Sequence, residues 1–511
     1  MDAIQLSLFS SRLTAICDEM GAALRHAAFS PNIRDRLDYS CAVFDARGEL
    51  CAQAAHIPVH LGSMAYAMRD VIHRFDWRPG DIVIFNDPYL GGTHLPDVTL
   101  VAPVMMEQQL LGFVANRAHH ADIGADSPGS MPLSRSLQEE GQIISPQYLV
   151  AGGKLLTDVM DRLATSTRNP TESRGDFSAQ MSSASTGVKR LQVLISSLGV
   201  SAYASSLVSL NDYAENMARH ALQQIPDGEY KFKDVMDDDG LGHIDVGIVI
   251  TLTIEAGTAQ IDFTGTADQV AGNINCPLSV AAAAVFYVFR CLMPAGTLAC
   301  AGSFRPITLS APKGCLVNAE YPAAVAAGNV ETSTRIVDVL LGALAQAIPE
   351  RIPAASHGSM NNIAMGSDDP VAPWDYYETI GGGMGAGAMT PGIDGVQTHM
   401  TNTLNTPIEV LEMQYPLRVS RYALRPDSGG VGRHRGGNGL IREFVFLREA
   451  KATLLTERRC YSPWGLQGGG AGQCGLNILN NEKLAGKVEL QLKADDRLRV
   501  ETPGGGGHGA A

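Results

Sequence analysis

Residues 81–122 hold the pattern that most constrains the fold of this chain, because short apolar runs alternate there with polar turns. The run 82–85 is typical of a buried strand and leads into a turn rich in Asn, Asp, Pro and Gly. Two further apolar runs, 98–106 and 110–114, are separated by a few residues. Antiparallel pairing of these two runs would place their outer ends side by side. The segment therefore predicts a sheet with polar residues gathered at one edge.

Histidine and aspartate residues flank the two paired runs. His94 and Asp97 precede the first run, and His119, His120 and Asp122 follow the second. Imidazole and carboxylate groups with room for water form the ligand set of a catalytic divalent metal, closer to zinc or manganese than to calcium. Neighbours on a strand face opposite sides, so only one of the two adjacent histidines can face a metal. Because a single histidine is usually structural, spacing alone leaves a metal site and a structural role both open.

The 511 residues exceed what one hydrophobic core usually organises, so several domains are expected. Helical periodicity over 4–28 and 172–224 alternates with strand-like stretches, and glycine-dense short strands dominate beyond about 360. We predict an α+β fold, a multi-domain mixed α/β chain with a metal-bearing N-terminal β-rich core, a central helical region and a β-rich C-terminal region. The expected divisions are a metal-binding domain at 1–170, a helical segment at 171–226, a mixed α/β domain at 227–360 and a β-rich domain at 361–511.

Two segments rich in glycine stand outside this pattern. Residues 123–146 are too long for an ordinary connection and are expected to be a lid or a binding loop. The closing stretch TPGGGGHGAA is, by its composition, either a mobile tail or a loop in which backbones approach closely.

Composition narrows the classes of function. The 53 acidic and 39 basic residues give a formal charge of −14, which argues against non-specific binding to nucleic acid or anionic membranes. The nine cysteines contain no CxxC pair, and their odd number suits reduced thiols and a cytoplasmic location. We find no signal peptide and no apolar run of about 18 residues that would span a membrane.

Nucleotide-binding motifs are weak or missing. GAGQCG at 470–475 fits GxGxxG, but no apolar strand leads into it and no helical stripe follows, so turn glycines are the better interpretation. No GxxxxGK[ST] loop occurs, so any ATP is expected to bind on another chain. The segment 326–338, with Asn329, Glu331 and Arg335, and the segment 399–412 are further candidates because polar groups are dense there.

Taken together, these stretches make the sequence resemble the hydantoinase B family. That family includes the B-type chain of N-methylhydantoinase, the C-terminal half of 5-oxoprolinase, the small subunit of ATP-dependent caprolactamase, and subunits of acetone and acetophenone carboxylases. The stretches that carry the resemblance run over nearly the whole chain in the family's order: RDRLDYS (34–40), HIPVHLGSM (56–64), FNDPYLGGTHLPD (85–97), RAHHADIG (117–124), NPTESRGD (169–176), GNINCP (272–277), AAVAAGNVETSTRIVD (323–338), THMTNTLNTPIEVLE (398–412) and TPGGGG (502–507).

The resemblance implies a metal held by two aspartates and two histidines. Carried over motif by motif, these ligands are Asp38, His94, Asp97 and His119. Zinc, manganese and iron all suit such a set. We assign His120 and Asp122 to proton transfer or to support of the ligands. Where the family often has ERxDFS this chain has DRLDYS, which shortens a supporting group and keeps the ligand.

The resemblance also implies a function and a partner. A hydantoinase A-type ATPase subunit would bind ATP and Mg and phosphorylate the carbonyl oxygen of a cyclic amide. The B-type chain would then open the activated ring with water supplied by its metal. We therefore expect an ATP-dependent hydrolase within a larger hetero-oligomer. The alternatives are a subunit of a ketone carboxylase and a non-catalytic scaffold whose metal only stabilises the fold.

Overall fold

The computed structural model describes residues 3–55, 57–369 and 371–511. His56, the first residue of HIPVHLGSM, therefore lies outside the described residues. Helices and four sheets follow one another along the described chain. The predicted multi-domain α+β fold is confirmed.

The N-terminal part of the chain forms a seven-stranded sheet with the strand order β2-β1-β5-β4-β3-β6-β7. Strands β4 and β5 are antiparallel neighbours, which confirms the pairing predicted from the two long apolar runs. The helix predicted over 4–28 is also present. In chain order the elements are α1 (Ala3–Ala27), α2 (Pro31–Arg34), β1 (Tyr39–Asp45), β2 (Leu50–Ala55), α3 (His60–Val71), β3 (Ile82–Phe85), β4 (Asp97–Met106), β5 (Gln109–His119), β6 (Gln147–Ala151), β7 (Lys154–Leu155) and α4 (Thr157–Thr165).

Both faces of this sheet are covered, so successive residues of a strand enter two different hydrophobic cores. Cys41 and Val43 share a core with α1 and with two long helices, α5 (Pro170–Leu198) and α6 (Val200–Leu222). Ala42 and Phe44, on the opposite face, share a core with α3. A residue's position along a strand therefore decides whether its side chain points toward α5 or toward α3.

Helices α5 and α6 supply the helical region predicted over 172–224. Gly199 separates them, and its φ of 83° lies where glycine is favoured. Among the described residues no single helix is both long and apolar enough to cross a membrane. This pair passes that test only when the two helices are taken together, and they are bent by 104°.

The central part of the chain joins a second sheet, in the order β11-β10-β9-β8, to two buried helices. A π-helical turn, Gly328–Thr332, runs directly into the second of these helices and buries Asn329 and Glu331. The elements are β8 (Gly228–Asp238), β9 (Ile244–Glu255), β10 (Thr258–Asp262), α7 (Leu278–Leu292), α8 (Ala301–Phe304), β11 (Ile307–Ser310) and α9 (Ser333–Ala347).

The C-terminal part contains two sheets, β13-β12-β16-β19 and β14-β15-β20-β17-β18, which pack on a common core. The predicted excess of short strands is therefore present. The elements are β12 (Asn362–Ser367), β13 (Trp374–Glu378), α10 (Ile408–Gln414), β14 (Leu417–Leu424), β15 (Leu440–Phe446), β16 (Ala450–Leu455), β17 (Leu476–Leu479), β18 (Glu482–Leu484), β19 (Lys487–Leu492) and β20 (Arg497–Glu501).

The closing glycines lie inside the fold, packed against other glycine-rich segments. Gly505 donates its N–H to the carbonyl oxygen of Gly437 at 2.9 Å and accepts from the N–H of Gly430 at 2.8 Å. A Cβ added at Gly505 would lie 2.1 Å from the carbonyl oxygen of Met384. Of the two expectations for TPGGGG, the structure supports close backbone approach.

Candidate metal centre

Strand pairing brings the first two site residues together. Asp97 begins β4, His119 ends β5, and the two residues are direct partners across the antiparallel pair. The turn before β4 is closed by the N–H of Asp97 on the carbonyl oxygen of His94 at 3.1 Å. The rings of His94 and His119 then meet edge to face, with their centroids 5.1 Å apart.

Each of these residues has one buried polar atom without a hydrogen-bond partner among the described residues: Nε2 of His94, Nε2 of His119 and Oδ1 of Asp97. His94 Nε2 lies 3.4 Å from Asp97 Oδ2, but the two do not meet hydrogen-bond geometry. The ligand atoms of the three residues all lie within 4.8 Å of one another. Unsatisfied buried polar atoms are costly and uncommon, and one on each of three clustered residues fits a divalent cation.

The charge states of the three residues follow from burial and from their contacts. Burial raises the pKa of Asp97, but His94 and His60 outweigh it and hold this pKa well below its ordinary value. Burial, reinforced by His94, lowers the pKa of His119 well below its ordinary value. Burial lowers the pKa of His94 as well, yet Asp97 reverses the shift and raises it. The shifts favour the anionic form of Asp97 and the neutral form of His119, and both are the forms that bind a metal.

Asp38 lies beside this group but outside it. Its backbone carbonyl oxygen accepts from the N–H of His119 at 3.0 Å, and its carboxylate lies 3.9 Å from Nη2 of Arg36. Burial raises the pKa of Asp38 to about 6, and Arg36 partly offsets the shift. Among the described residues, the ligand atoms within 4.8 Å of one another include none from Asp38. It lines the same cavity as Asp97 and His119.

His120 and Asp122 are placed away from the cluster. His120 points to the α5 face of the sheet, where Nε2 lies 3.0 Å from Oε1 of Gln180. Asp122 holds the start of the 123–146 loop, accepting from Ser130 Oγ at 2.9 Å and from the N–H of Arg168 at 2.7 Å. The structure does not bring either side chain to the ligand atoms, and their assigned catalytic role stays a prediction.

Three further groups fix the other carboxylate oxygen of Asp97, Oδ2. Thr93 Oγ1 donates to it at 2.6 Å, His60 Nε2 lies 3.3 Å away, and Asn329 Nδ2 lies 3.4 Å away. Of these, Asn329 belonged to a segment noted for its polar density, and His60 to the HIPVHLGSM stretch. Tyr377, stacked on His119 at 4.7 Å, had no signal in the sequence.

The amide of Asn32 decides which nitrogen of His119 can bind a cation. Asn32 Nδ2 lies 3.2 Å from His119 Nδ1, while its Oδ1 accepts from Arg36 Nη1 at 3.2 Å. With Nδ1 as acceptor, the neutral ring carries its proton on Nε2. Ligation through Nε2 therefore requires the Asn32 amide to turn over, so that its oxygen accepts from Nδ1–H.

The space among these side chains is small. The cavity offers about 20 Å³ to water, which is room for about one molecule. Its walls are Asp38, Ile57, Val59, His60, Asp97, His119, Asn329, Val330, Met360, Tyr377, Thr379 and Thr401. They come from the N-terminal sheet, the π-helical turn and the C-terminal part, so the site forms only when the whole chain is folded.

Comparison with known sequences gives the family. The sequence profile of the Hydantoinase B/oxoprolinase family matches residues 2–511. The chain is 37% identical to 5-oxoprolinase 1 of Arabidopsis thaliana, with 100% of the chain and 42% of that protein aligned. It is 31% identical to a Pseudomonas sp. protein named as the B-type chain of a D-/L-hydantoinase, with 100% and 90% aligned. It thus spans less than half of the first relative and nearly all of the second.

Comparison with solved structures agrees. The ATP-dependent caprolactamase of Pseudomonas jessenii matches with a TM-score of 0.94 at 28% identity, over 100% of this chain and 91% of that chain. Acetone carboxylase in its nucleotide-free form matches with a TM-score of 0.90 at 18% identity, over 99% and 76%; this likeness establishes the fold alone. The chain belongs to the hydantoinase B/oxoprolinase family.

Proposed function

We propose that this chain is the B-type component of an ATP-dependent hydrolase that opens a cyclic amide. In this proposal the chain binds one divalent transition metal through His94, Asp97 and His119, with Asp38 beside them. The observation that carries the proposal is the cluster of three buried potential ligands whose ligand atoms lie within 4.8 Å of one another. Each of the three residues has a side-chain atom without a hydrogen-bond partner in the part of the chain that the structure describes. Family membership and the fold shared with caprolactamase support the reaction class.

The residues around the ligands have separable tasks in this proposal. Thr93, His60 and Asn329 hold Oδ2 of Asp97, while Oδ1 has no hydrogen-bond partner among the described residues and is left for a cation. His60 also meets Ser40 Oγ through Nδ1 at 3.0 Å, so its ring links a hydroxyl to the ligand carboxylate and can hold a proton between them. A bound divalent ion would lower the pKa of a water toward about 7 and make hydroxide available at neutral pH.

The size of the cavity sets a condition on the reaction. Space for about one water cannot admit a cyclic amide as well, so part of the wall has to move before substrate reaches the ligands. Apolar side chains make up several of the walls, among them Val330 and Met360. Closed around the reacting groups, such walls would exclude bulk water.

An A-type ATPase partner is part of the proposal. A Pseudomonas sp. relative that is 31% identical is named as the B-type chain of a hydantoinase, which supports a partner subunit. ATP and Mg would bind to that partner and activate the substrate carbonyl by phosphorylation. A larger hetero-oligomer follows from the same reasoning.

The test is turnover by the complex of both chains. This chain and its A-type partner are assayed with ATP against a panel of lactams, hydantoins and ketones, with and without bicarbonate. We expect ATP-coupled ring opening that is lost in His94→Ala and retained in the control His73→Ala, whose side chain is exposed. Bicarbonate-dependent turnover of a ketone would instead favour the carboxylase, whose fold the chain shares. Normal turnover by a folded His94→Ala variant would favour the scaffold.

A further inference from the structure

Glu140 holds a peptide segment that lies next to the candidate metal site. It sits in the 123–146 loop, and its side chain is fully buried. One carboxylate oxygen, Oε1, accepts from the N–H groups of Val325 and Ala326 at 2.8 and 2.9 Å and from Ser134 Oγ at 2.8 Å. Three donors on one buried carboxylate oxygen make a strong local attachment.

The attached segment in turn contacts a ligand. The carbonyl oxygen of Ala326 lies 3.3 Å from Nδ1 of His94. The same peptide group is held at its other end, where the N–H of Ala327 donates to the carbonyl oxygen of Asn273 at 3.0 Å. An Nδ1–H that donates to this carbonyl leaves the lone pair of His94 on Nε2, the unpartnered atom that faces the site.

We propose that Glu140 is a positioning residue for the metal: it fixes the Val325–Ala326 backbone so that the Ala326 carbonyl selects the ring orientation and tautomer in which His94 presents Nε2. The inference rests on the proposed function, since it concerns the same metal. It gives the 123–146 loop a role distinct from that of a lid, because Glu140 attaches the loop to the backbone segment that contacts His94.

The contacts predict which changes matter. Glu140→Ala removes the acceptor for both backbone amides. Glu140→Asp keeps the carboxyl group but withdraws it by one methylene, so it cannot reach both amides without displacing them. Glu140→Gln keeps an acceptor oxygen at the same reach. Ser134→Ala removes the third donor and leaves the amide contacts, which makes it the matched control.

The experiment measures zinc affinity by competition with a chromophoric chelator, and the visible spectrum of the cobalt-loaded protein. We expect Glu140→Ala to weaken zinc binding by about 10–100-fold and to change the cobalt bands. Glu140→Asp should change both in the same direction, while Glu140→Gln and Ser134→Ala should resemble wild type. The unfolding midpoint of each metal-free variant shows that the loss is not simply a loss of folded protein.

Folded Glu140→Ala or Glu140→Asp with wild-type affinity and spectrum would overturn the inference. If neither variant folds, a crystal structure of the zinc-loaded wild type decides. Ligation by Nε2 of His94, with Nδ1 on the Ala326 carbonyl, supports the inference. Ligation by Nδ1 overturns it. Zinc binding that is absent from wild type, or unchanged in His94→Ala, refutes the proposed function itself, which separates that failure from one confined to Glu140.

Discussion

Alanine at Gly505 tests whether the closing glycines are required by the packing of the backbone. The added Cβ would lie 2.1 Å from the carbonyl oxygen of Met384 and 2.7 Å from the N of Gly385, whereas ordinary contact begins at 3.4 Å. Relief requires a shift of about 1 Å or more in one of the segments. Such a shift breaks the hydrogen bonds that Gly505 makes with Gly437 and Gly430, now 2.9 and 2.8 Å long.

The cost can be worked out from these contacts. Each buried backbone group left without its partner costs about 1–3 kcal/mol. Overpacking adds about 1–3 kcal/mol. We therefore expect Gly505→Ala to lower the free energy of unfolding by at least about 3 kcal/mol, which is large for a single methyl group.

Urea denaturation followed by circular dichroism measures the effect, and Gly296→Ala is the matched control. A Cβ at Gly296 meets no heavy atom of the described residues within 4 Å, so we expect a change within about 0.5 kcal/mol. Hydrogen exchange of the 504–507 amides should rise in Gly505→Ala only. Equal unfolding midpoints for the two variants would refute the reasoning.

Three further predictions concern two buried carboxyl groups and His120. Burial raises the pKa of Glu331 to about 8, so between about pH 4.5 and 8 the folded state keeps a proton that the unfolded chain has released, and stability falls as the pH rises through this window. The urea midpoint of Glu331→Gln should therefore rise relative to that of wild type from pH 5 to pH 8. A difference in midpoint that does not change with pH would contradict this. Arg442→Met leaves the buried carboxylate of Glu378 without the 2.6 Å ion pair and should lower the free energy of unfolding, measured by urea denaturation, by about 3–5 kcal/mol. Adding Glu378→Gln should restore part of this stability. A double variant no more stable than Arg442→Met would argue against the pairing. His120→Ala should leave zinc affinity unchanged in chelator competition, because the ring faces Gln180, and a large loss would place His120 at the metal.

Periodicity in the sequence was enough to predict the part of the site that strand pairing creates. The apolar runs that became β4 and β5 gave the pairing, and pairing alone places Asp97 opposite His119. Alternation along the strand also required His119 and His120 to face opposite sides. It could not say which one faces the site, because both faces of this sheet are buried and both are apolar.

The rest of the site depends on contacts that no local pattern encodes. Asn329 reaches Asp97 from a π-helical turn, and Tyr377 stacks on His119 from β13, hundreds of residues along the chain from the first strands. Spacing gave only a suspicion of Asp38, which precedes a predicted strand, and the family resemblance supplied its assignment as a ligand. Composition likewise left two interpretations of the closing glycines, since only the folded neighbours of Gly505 distinguish a buried segment from a free tail.

The most direct test of the central claim is elemental analysis of the protein as purified, together with Asp97→Asn and His119→Ala variants shown to be folded. The account predicts about one divalent transition-metal ion per wild-type chain and a strong loss in both variants, because each removes one of the converging atoms. Metal absent from wild type under metal-replete conditions, or retained in full by either variant, would contradict it.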